Sequence, residues 1–306
     1  MYLQTMNVLD IFTKIYGRLQ NYGMPYWVMT PFRRLVRELA NIVLPKYLSR
    51  SNKRKVRSEK DLIVSFTSFP ARINNVWQVV ECMKRQTLQP DKILLWLSKE
   101  QFPTEDSIPE TLLNRRDEQF DIRMVDGDIR SHKKYYYSAK EFPDALIFLI
   151  DDDIYYDTDI LRRSMKAYID YGEKCVVCNY GYQIEYAMNV CKPYSEWHPI
   201  EGKKAVGTDL FFGSGGGTLF RPSDMYKDLT NIFLARQLTP LADDIWLNAM
   251  AMKADLTKIM LPHGPLLSIK EKHNVTLSSI NNGEGRNDEQ INAVKKYYGD
   301  IYVRYI

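Results

Sequence analysis

The stretch ALIFLIDDDIYYDTDIL, residues 145–161, decides how the rest of the chain is interpreted. It begins with six apolar residues, which is typical of a central strand covered on both faces by helices. Three acids, Asp151, Asp152 and Asp153, follow directly. Adjacent carboxylates at the end of a buried strand repel one another unless a cation or hydrogen-bond donors compensate. The stretch therefore predicts a buried strand that delivers a cluster of carboxylates to one edge of a sheet.

Strand-like and helix-like segments alternate in the part of the chain before this stretch. The apolar runs DLIVSFT (61–67), KILLWL (92–97) and DIRMV (121–125) indicate strands. The segments VWQVVECMKRQ (76–86) and KKYYYSAKEF (133–142) have helical spacing. This alternation predicts an α/β fold with a mostly parallel sheet flanked by helices. Ligands of such sheets bind beyond the carboxyl ends of the strands, so we expect the functional site at that edge.

The aspartate cluster suits a hard divalent ion. Asp151 and Asp153 point to the same side if the chain stays extended, which offers two carboxylate ligands. Mg²⁺ or Mn²⁺ is commonly held by one or two carboxylates together with the phosphates of a substrate. The alternative is a solvated acidic turn in which Asp157 or Asp159 caps the next helix. Because the cluster follows the most hydrophobic strand, we favour the metal site.

Two histidines late in the chain are candidates for a further ligand of this ion. His263 lies in LPHGPLL at a predicted strand end, and His273 lies in KEKHNVTL. His263 is the preferred candidate because a strand end can present its imidazole to the same ion, but for either histidine a surface or hydrogen-bonded role is favoured over ligation. Cys175 and Cys178 have C-x-x-C spacing, but no second pair lies nearby in the sequence, so a zinc site is not expected.

A second acidic pair, Asp243 and Asp244, opens a helix-like segment in LTPLADDIWLNAMAMKADL (238–256). Acids in the first turn of a helix complement its dipole, and this alone accounts for the pair. The functional alternative is a general base held at the helix N-terminus. On the residues alone, we favour the helix-capping interpretation.

A glycine-rich segment, FFGSGGGTLF (211–220), lies between the two acidic sites. Glycines such as Gly215 and Gly216 let the backbone approach a ligand closely, or simply let the chain turn. No G-K-[ST] sequence follows, and the segment comes late in the chain without the spacing of a dinucleotide fingerprint. Neither a P-loop nor a dinucleotide site is therefore predicted.

The first 60 residues form a basic arm on a slightly acidic body. They contain 12 Lys and Arg against 3 acids, a net charge of +9 that leaves −5 on residues 61–306. The segment RRLVRELANIVLPKY predicts a helix that ends at Pro45 and carries one apolar face. That face comprises Leu35, Val36, Leu39, Ile42 and Val43. The basic run that follows comprises Lys46, Arg50, Lys53, Arg54, Lys55, Arg57 and Lys60.

An apolar helix face beside a basic run predicts that the arm lies on an anionic membrane surface. The alternative is a helix packed on the body and followed by a solvated linker. Nucleic acid is not an expected partner, because no aromatic residues alternate with the basic run as a base-stacking surface requires. These observations predict a domain boundary between the arm, residues 1–60, and the main domain, residues 61–306.

Composition excludes several classes of protein. With 45% hydrophobic and 26% charged residues, the chain of 306 residues is neither low-complexity nor disordered. Its four cysteines are too few and too scattered for a disulfide framework. No apolar run is long enough to span a bilayer, and the first residues lack the features of a secretory signal. The expected location is cytoplasmic, with the arm bound peripherally to the inner face of the cell membrane.

The order of these motifs resembles that of GT-A glycosyltransferases, in particular the family-2-like bacterial enzymes that build polysaccharides. The resemblance rests on SFTSFPARI, HKKYYYSAKEFPDALIFLIDDDIYY, FFGSGGGTLF and PLADDIWL, which follow one another within residues 62–265. It implies a Rossmann-like GT-A fold and a metal-dependent glycosyltransferase. The implied donor is a nucleotide sugar, with UDP expected, and the implied acceptor is a hydroxyl of a saccharide or lipid-linked saccharide. The expected role is assembly of a capsule or lipopolysaccharide.

The same resemblance assigns roles to residues. It implies that Asp151 and Asp153 bind the Mn²⁺ or Mg²⁺ that grips the diphosphate. It makes Asp244 the general base of an inverting reaction, with Asp243 as its rival. The second strand lacks the acid that reads the nucleoside in many relatives, so residues after the first strand are expected to take that role. The residues implied to bind the nucleotide sugar are Thr67, Ser68, Arg72, Lys133, Lys134, Asp151, Asp152, Gly215 and Gly216.

Two other functions are alternatives to sugar transfer. A metal-dependent phosphohydrolase or nucleotidyltransferase also gathers acids at the ends of strands. A carbohydrate- or lipid-binding module tethered by its basic arm needs no chemistry at all. The two separate acidic sites favour an enzyme over a binding module.

Overall fold

A computed structural model describes residues 7–20, 24–50, 56–57, 61–270, 285–299 and 301–302. His273 and most of the basic run after residue 50 lie outside these described residues, so what was predicted for them stays a prediction. No helix in the described parts is long and apolar enough to cross a membrane.

A mostly parallel sheet of eight strands forms the centre of the fold. The described strands are β1 (Val56–Arg57), β2 (Leu62–Thr67), β3 (Leu88–Gln89), β4 (Lys92–Ser98), β5 (Phe120–Val125), β6 (Leu146–Leu149), β7 (Cys175–Cys178), β8 (Gly181–Gln183), β9 (Tyr186–Ala187), β10 (Val190–Cys191), β11 (His198–Pro199), β12 (Ala205–Gly207), β13 (Leu210–Phe212), β14 (Thr218–Phe220) and β15 (Thr257–Met260). The central sheet has the order β12–β15–β7–β14–β6–β2–β4–β5. Parallel pairing joins β6 to β2, β2 to β4, β4 to β5 and β7 to β15.

The described helices lie on both faces of this sheet. They are α1 (Val8–Gly17), α2 (Tyr26–Leu48), α3 (Val76–Lys84), α4 (Glu110–Leu113), α5 (Lys133–Glu141), α6 (Ile160–Asp170), α7 (Ile232–Leu238), α8 (Asp243–Lys253) and α9 (Arg286–Tyr298). One buried cluster joins α1, α2, α3 and α6 to one face of the sheet, and a second joins α5, α7, α8 and α9 to the other. The predicted Rossmann-like α/β fold is therefore confirmed.

One strand runs against its neighbours and brings the glycine segment to the carboxylates. β14 lies between β6 and β7 and is antiparallel to both. Its amino end therefore reaches the edge of the sheet where β6 and β7 have their carboxyl ends. The segment 213–217 consequently lies beside Asp151, whose N–H donates to the carbonyl of Gly215 at 3.2 Å.

The predicted arm is helical, but its long helix does not end where expected. α2 continues through Pro45 to Leu48, whereas the sequence predicted that Pro45 ends it. A proline inside a helix removes one backbone hydrogen bond and costs about 3 kcal/mol. Packing offsets this cost, because Ala40, Leu44 and Leu48 are fully buried in one core together with Leu9 of α1. The prediction of a helix end at Pro45 is wrong.

Hydrogen bonds also tie the arm to the body. The buried carboxylate of Asp10 accepts from the N–H of Thr158 at 2.8 Å and from its hydroxyl at 2.9 Å. Asn41 of α2 donates to the carbonyl of Ser268 at 3.2 Å and accepts from the N–H of Lys270 at 2.7 Å. The helices of the arm are therefore part of the folded unit, while a domain boundary at residue 60 stays a prediction.

Replacing Asp10 with alanine is expected to lower the free energy of unfolding by about 2–3 kcal/mol, because the N–H and hydroxyl of Thr158 lose a buried charged acceptor. Urea unfolding followed by circular dichroism measures this change. Lys14→Ala, at an exposed position of the same helix, is the matched control and should change the free energy of unfolding by less than about 0.5 kcal/mol. Equal stability of the Asp10 variant and the wild type would contradict the described docking of α1.

Candidate functional site

A cleft of about 660 Å³ opens at the edge of the sheet where β2 and β6 end, beside the loop before β14 and the first turn of α8. Its volume is typical of a small-molecule site. Twelve of the thirteen residues predicted for the site line it. They are Thr67, Ser68, Arg72, Lys133, Lys134, Asp151, Asp152, Asp153, Gly215, Gly216, Asp243 and Asp244. The exception is His263.

A buried lysine joins the two acidic sites. The ammonium of Lys134, on α5, donates to Asp151 Oδ1 at 2.8 Å and to Ser214 Oγ at 3.2 Å. It also lies 3.4 Å from Asp243 Oδ2 in an ion pair. Burial alone would lower the pKa of Lys134, but the neighbouring carboxylates outweigh it and raise the pKa above its ordinary value. Lys134 therefore stays charged and holds the ends of β6 and α8 together.

Ser214, in the glycine segment, contacts both acids of the second pair. Its hydroxyl lies 2.7 Å from Asp243 Oδ2 and 2.5 Å from Asp244 Oδ1, and its N–H donates to Asp244 Oδ1 at 3.0 Å. A hydroxyl has one proton and can donate it to only one of the two carboxylates. Its close contact with both therefore requires a second proton between these groups. Ser214 was not among the predicted site residues, although it could have been selected as the only residue in GSGGG with a side chain.

The two acids of this pair differ in protonation. Burial tends to raise the pKa of Asp243, but Lys134 and His132 outweigh it and lower this pKa below its ordinary value. Burial raises the pKa of Asp244, and the charge of Asp243 raises it further, to about 7. Near neutral pH, Asp243 is ionised and Asp244 is divided between its two forms. In its protonated form, Asp244 supplies the second proton that the Ser214 contacts require.

Neither acid caps α8 with its side chain. The helix begins at Asp243, its cap residue is Ala242, and the cap makes no side-chain hydrogen bond. Both acids lie in the first turn of α8, as the dipole interpretation expects, but their carboxylates contact Ser214 and do not cap the helix. The structure also does not set Asp244 apart as a base, since both acids line the cleft and share one partner.

The carboxylate of Asp151 requires a glycine at position 215. A Cβ atom on Gly215 would lie 1.8 Å from Asp151 Oδ2, and one on Gly216 would lie 2.2 Å from Tyr180 Cβ. The hydroxyl of Tyr156 accepts from the N–H of Asp151 at 2.8 Å and donates to the carbonyl of Gly215. The side chain of Asp151 is 38% exposed. The missing side chain at 215 thus leaves room for this carboxylate to face the cleft.

The other two aspartates of the cluster bind an arginine. Arg72 Nη1 lies 2.9 Å from Asp152 Oδ1 and 3.0 Å from Asp153 Oδ2. The hydroxyl of Ser68 donates to Asp152 Oδ2 at 2.5 Å. The sequence predicted that Asp151 and Asp153 point to the same side, but the chain turns directly after Asp151, so strand alternation no longer applies. Asp153 consequently shares its partner with Asp152, and Asp151 binds elsewhere.

Other polar side chains predicted to bind the nucleotide already have partners in the wall of the cleft. Lys133 is buried and pairs with Asp128. The hydroxyl of Thr67 donates to the carbonyl of Trp96 at 2.7 Å. Arg130, which sequence analysis did not select, is exposed and lines the cleft. Its position just before the predicted helix could have identified it as a site residue, but the helical pattern of the next segment was the feature that was interpreted.

His263 does not join the carboxylates. Its Nδ1 lies 3.3 Å from the carbonyl of Gly264, and its ring centre lies 5.3 Å from that of Tyr180. It follows β15, and two strands separate β15 from β6 in the sheet, which is why the expected third ligand does not reach Asp151. In the described residues, no group of three or more His, Cys, Asp or Glu side chains is placed to hold a metal ion.

Aromatic side chains form another part of the wall, and sequence analysis did not select them. Tyr180, Tyr182, Tyr194 and Phe211 line the cleft. The hydroxyls of Tyr180 and Tyr182 lie 2.9 Å apart, and the ring centres of Tyr182 and Tyr194 lie 5.7 Å apart. Flat apolar faces next to hydroxyl groups suit ligands with ring structures.

Comparison of the sequence with family models and with curated proteins found no match. Among solved structures, the chain is similar to a 2-C-methyl-D-erythritol 4-phosphate cytidylyltransferase of Francisella tularensis, at 10% identity and a TM-score of 0.41, over 75% of this chain and 100% of that one. It is similar to a UDP-glucose pyrophosphorylase of Acinetobacter baumanii, at 11% identity and a TM-score of 0.41, over 78% and 93%. A UDP-glucose pyrophosphorylase complexed with UDP-glucose matches at 11% identity and a TM-score of 0.39, over 80% and 99%.

These three structures are of nucleotidyltransferases, and this finding contradicts the prediction of sugar transfer. The predicted glycosyltransferase function is therefore wrong, and the saccharide acceptor and the role in capsule or lipopolysaccharide assembly are not supported. The alternative of a metal-dependent nucleotidyltransferase agrees better with the comparison. At identities of 10–11% and TM-scores of 0.39–0.41, the likeness concerns the fold alone and assigns no residue a role.

Substituting Gly215 with alanine is expected to weaken binding of a Mn²⁺–nucleotide complex roughly tenfold or more, the usual effect of displacing a ligand's support. The reason is that the added Cβ would push the Asp151 carboxylate out of its place. Isothermal titration calorimetry with Mn²⁺ and a nucleoside triphosphate measures the affinity. Gly17→Ala, where a Cβ meets nothing within 4 Å, is the control. Unchanged affinity in the Gly215 variant would show that Asp151 does not hold the ion.

One carboxyl group is expected to titrate near pH 7 in the metal-free protein, and it is that of Asp244. Since its pKa is raised above that of the unfolded chain, its contribution to stability is present at acidic pH and is lost as pH rises through about 7. NMR of ¹³C-labelled aspartate follows the titration. Asp244→Asn should remove this signal and the accompanying loss of stability, whereas Asp170→Asn should keep both. If every aspartate titrates well below neutral pH, the described contact of Asp243, Asp244 and Ser214 is incorrect.

Proposed function

We propose that the cleft binds a nucleoside triphosphate with a divalent ion and transfers its nucleotidyl group to a phosphorylated sugar, forming a nucleotide sugar and pyrophosphate. The observation that carries this proposal is the single charged group formed by Asp151, Asp243 and Asp244 around Lys134 and Ser214. Inverting transfer to a sugar hydroxyl needs a carboxylate that takes its proton, whereas here both acids of α8 already contact Ser214. Transfer to a phosphate oxygen needs no such carboxylate, because that oxygen is already ionised at neutral pH.

The charges of the wall suit a phosphate chain that carries a divalent ion. Six aspartates outnumber four basic residues among the charged residues that line the cleft, which are Arg72, Asp128, Arg130, Lys133, Lys134, Asp151, Asp152, Asp153, Asp243 and Asp244. A bare phosphate chain would be repelled by this negative excess. A phosphate chain with a divalent ion offers a cation to the carboxylates and anionic oxygens to the arginines and lysines.

Asp151 is the residue best placed to hold Mg²⁺ or Mn²⁺, with Asp243 next to it around Lys134. The fit rests on the open face of Asp151, which is 38% exposed and lies against a glycine. Two carboxylates and several phosphate oxygens match the ligand set that these ions prefer, so no third protein ligand such as His263 is needed. When bound, such an ion neutralises negative charge on the phosphates.

Lys134, Arg72 and Arg130 are the basic residues expected to contact the phosphates. Arg72 is held by Asp152 and Asp153, so its guanidinium is oriented before substrate arrives. In the proposed reaction, a bond forms between the sugar phosphate oxygen and the α-phosphorus, and the bond to pyrophosphate breaks. The negative charge that develops on the leaving pyrophosphate is stabilised by these fixed positive charges.

The aromatic residues suit the uncharged parts of the two substrates. Tyr180, Tyr182 and Tyr194 combine ring faces with hydroxyl groups, which is how proteins commonly bind a sugar ring. Phe69 lines the cleft beside the guanidinium of Arg72, 5.4 Å from its ring centre, and offers a flat face to a nucleobase. In the proposed binding mode, the phosphates lie between the nucleobase and the sugar.

Incubation with Mg²⁺, a nucleoside triphosphate and a sugar 1-phosphate is expected to release pyrophosphate and nucleotide sugar in equal amounts. A panel of nucleotides and sugar phosphates, assayed for pyrophosphate and by chromatography, measures both products. Asp151→Asn should slow the reaction about 10²-fold or more, because the ion loses a charged ligand. The matched control is Asp170→Asn, at an exposed position of α6, which should leave the rate unchanged.

Asp244→Asn separates this proposal from base catalysis. Removing a general base typically slows a reaction about 10²- to 10⁴-fold, whereas nucleotidyl transfer should slow by less than about tenfold here. Orthophosphate release without pyrophosphate would indicate a phosphohydrolase. Failure of every nucleotide and sugar phosphate pair to yield pyrophosphate would contradict the proposed function.

A further inference from the structure

One side of α2 is apolar and exposed. Phe32, Leu35, Leu39 and Ile42 recur at intervals of three and four residues, so they lie along one side of the helix. Their exposed fractions are 57%, 58%, 46% and 60%. We call these four residues the outer face of α2. The opposite side of the helix is buried in the core that it shares with the sheet.

Exposed large hydrophobic side chains are concentrated in this part of the chain. Of the sixteen found in the described residues, nine lie between Ile11 and Val43. Those in the rest of the chain include Met188, Val206 and Phe233, which belong to different elements or loops. A contiguous exposed apolar face indicates contact with another molecule or with a membrane, whereas scattered apolar residues need no explanation.

The exposed charged residues of the described arm are all basic. They are Lys14, Arg18, Arg34, Lys46 and Arg50. The two acids of the described arm are already engaged. Asp10 is buried against Thr158, and Glu38 pairs with Lys270 at 2.7 Å. The arm therefore presents positive charge beside an apolar face, with little negative charge to offset it.

We propose that the outer face of α2 docks on an anionic lipid bilayer. The apolar side chains enter the boundary between headgroups and acyl chains, and the basic side chains contact lipid phosphates. Charge selects this occupant over a second copy of the chain, because two such faces would bring the same positive charges together. The docking surface is separate from the cleft and does not depend on the function proposed for it.

The body holds α2 in place, so the docking surface is formed before any lipid is met. The helix has 23 residues and is about 35 Å long. Its buried side and the hydrogen bonds of Asn41 fix it against the sheet and the segment that includes Lys270. Binding therefore requires no folding of the helix at the membrane, unlike an unstructured amphipathic segment.

Sedimentation of the full chain with vesicles of phosphatidylcholine, with and without phosphatidylglycerol, tests this proposal. The wild type is expected to bind only the anionic vesicles and to bind them less as salt rises. The variant Leu35→Gln/Leu39→Gln/Ile42→Gln should bind roughly tenfold or more weakly, because it loses apolar area. The variant Arg34→Gln/Lys46→Gln should bind about fivefold more weakly for each charge removed.

The matched control replaces exposed apolar residues of the body by Met188→Gln/Val206→Gln/Phe233→Gln and should bind like the wild type. All substituted positions are exposed, so unchanged thermal unfolding by circular dichroism verifies that the variants fold. Equal binding by the outer-face variant and the wild type would overturn the proposal. So would a wild-type dimer that becomes monomeric in the outer-face variant and does not bind vesicles, because the face would then join two copies of the chain.

Discussion

Lys134 carries a positive charge into the interior of the protein, and three elements are arranged to compensate it. The segment after β6 contributes Asp151, the loop before β14 contributes Ser214, and the first turn of α8 contributes Asp243. A buried charge costs several kcal/mol unless it is paired and hydrogen-bonded. These three elements must therefore meet at one point, and the position of the cleft between them follows from this requirement.

The same constraint determines which chemistry the cleft can support. Carboxylates that neutralise the charge of a lysine can also bind a divalent ion. The basic residues are then available to contact the phosphates bound to that ion. Asp151 after β6 meets the acids of α8 around Lys134 and Ser214, whereas Asp152 and Asp153 bind Arg72. Fixed charges stabilise the negative charge that develops in a reaction between phosphates, and such a reaction needs no general base to remove a hydroxyl proton.

The fold and the position of Asp151 at the edge of the sheet could be predicted from the sequence, because apolar runs and the acids that follow them mark strand ends. Most other predicted residues that line the cleft were expected from the resemblance alone. Which side chains contact one another within the site could not be predicted. A turn directly after Asp151 separates its carboxylate from that of Asp153, and no local sequence pattern predicts this turn. The antiparallel insertion of β14, which brings Ser214 to the acids, is a property of the whole sheet. The helix end predicted at Pro45 was wrong because burial of Leu44 and Leu48 offsets the local tendency of proline to end a helix.

The proposed transfer of a nucleotidyl group leaves the sugar joined to its phosphate. Exchange of radiolabelled pyrophosphate tests it most directly, because the reverse reaction combines a nucleotide sugar with pyrophosphate to give a nucleoside triphosphate and a sugar 1-phosphate. With a panel of nucleotide sugars and Mg²⁺, we expect label to appear in the triphosphate and Asp151→Asn to slow this exchange about 10²-fold or more. Formation of nucleoside diphosphate with no label in any triphosphate would contradict it.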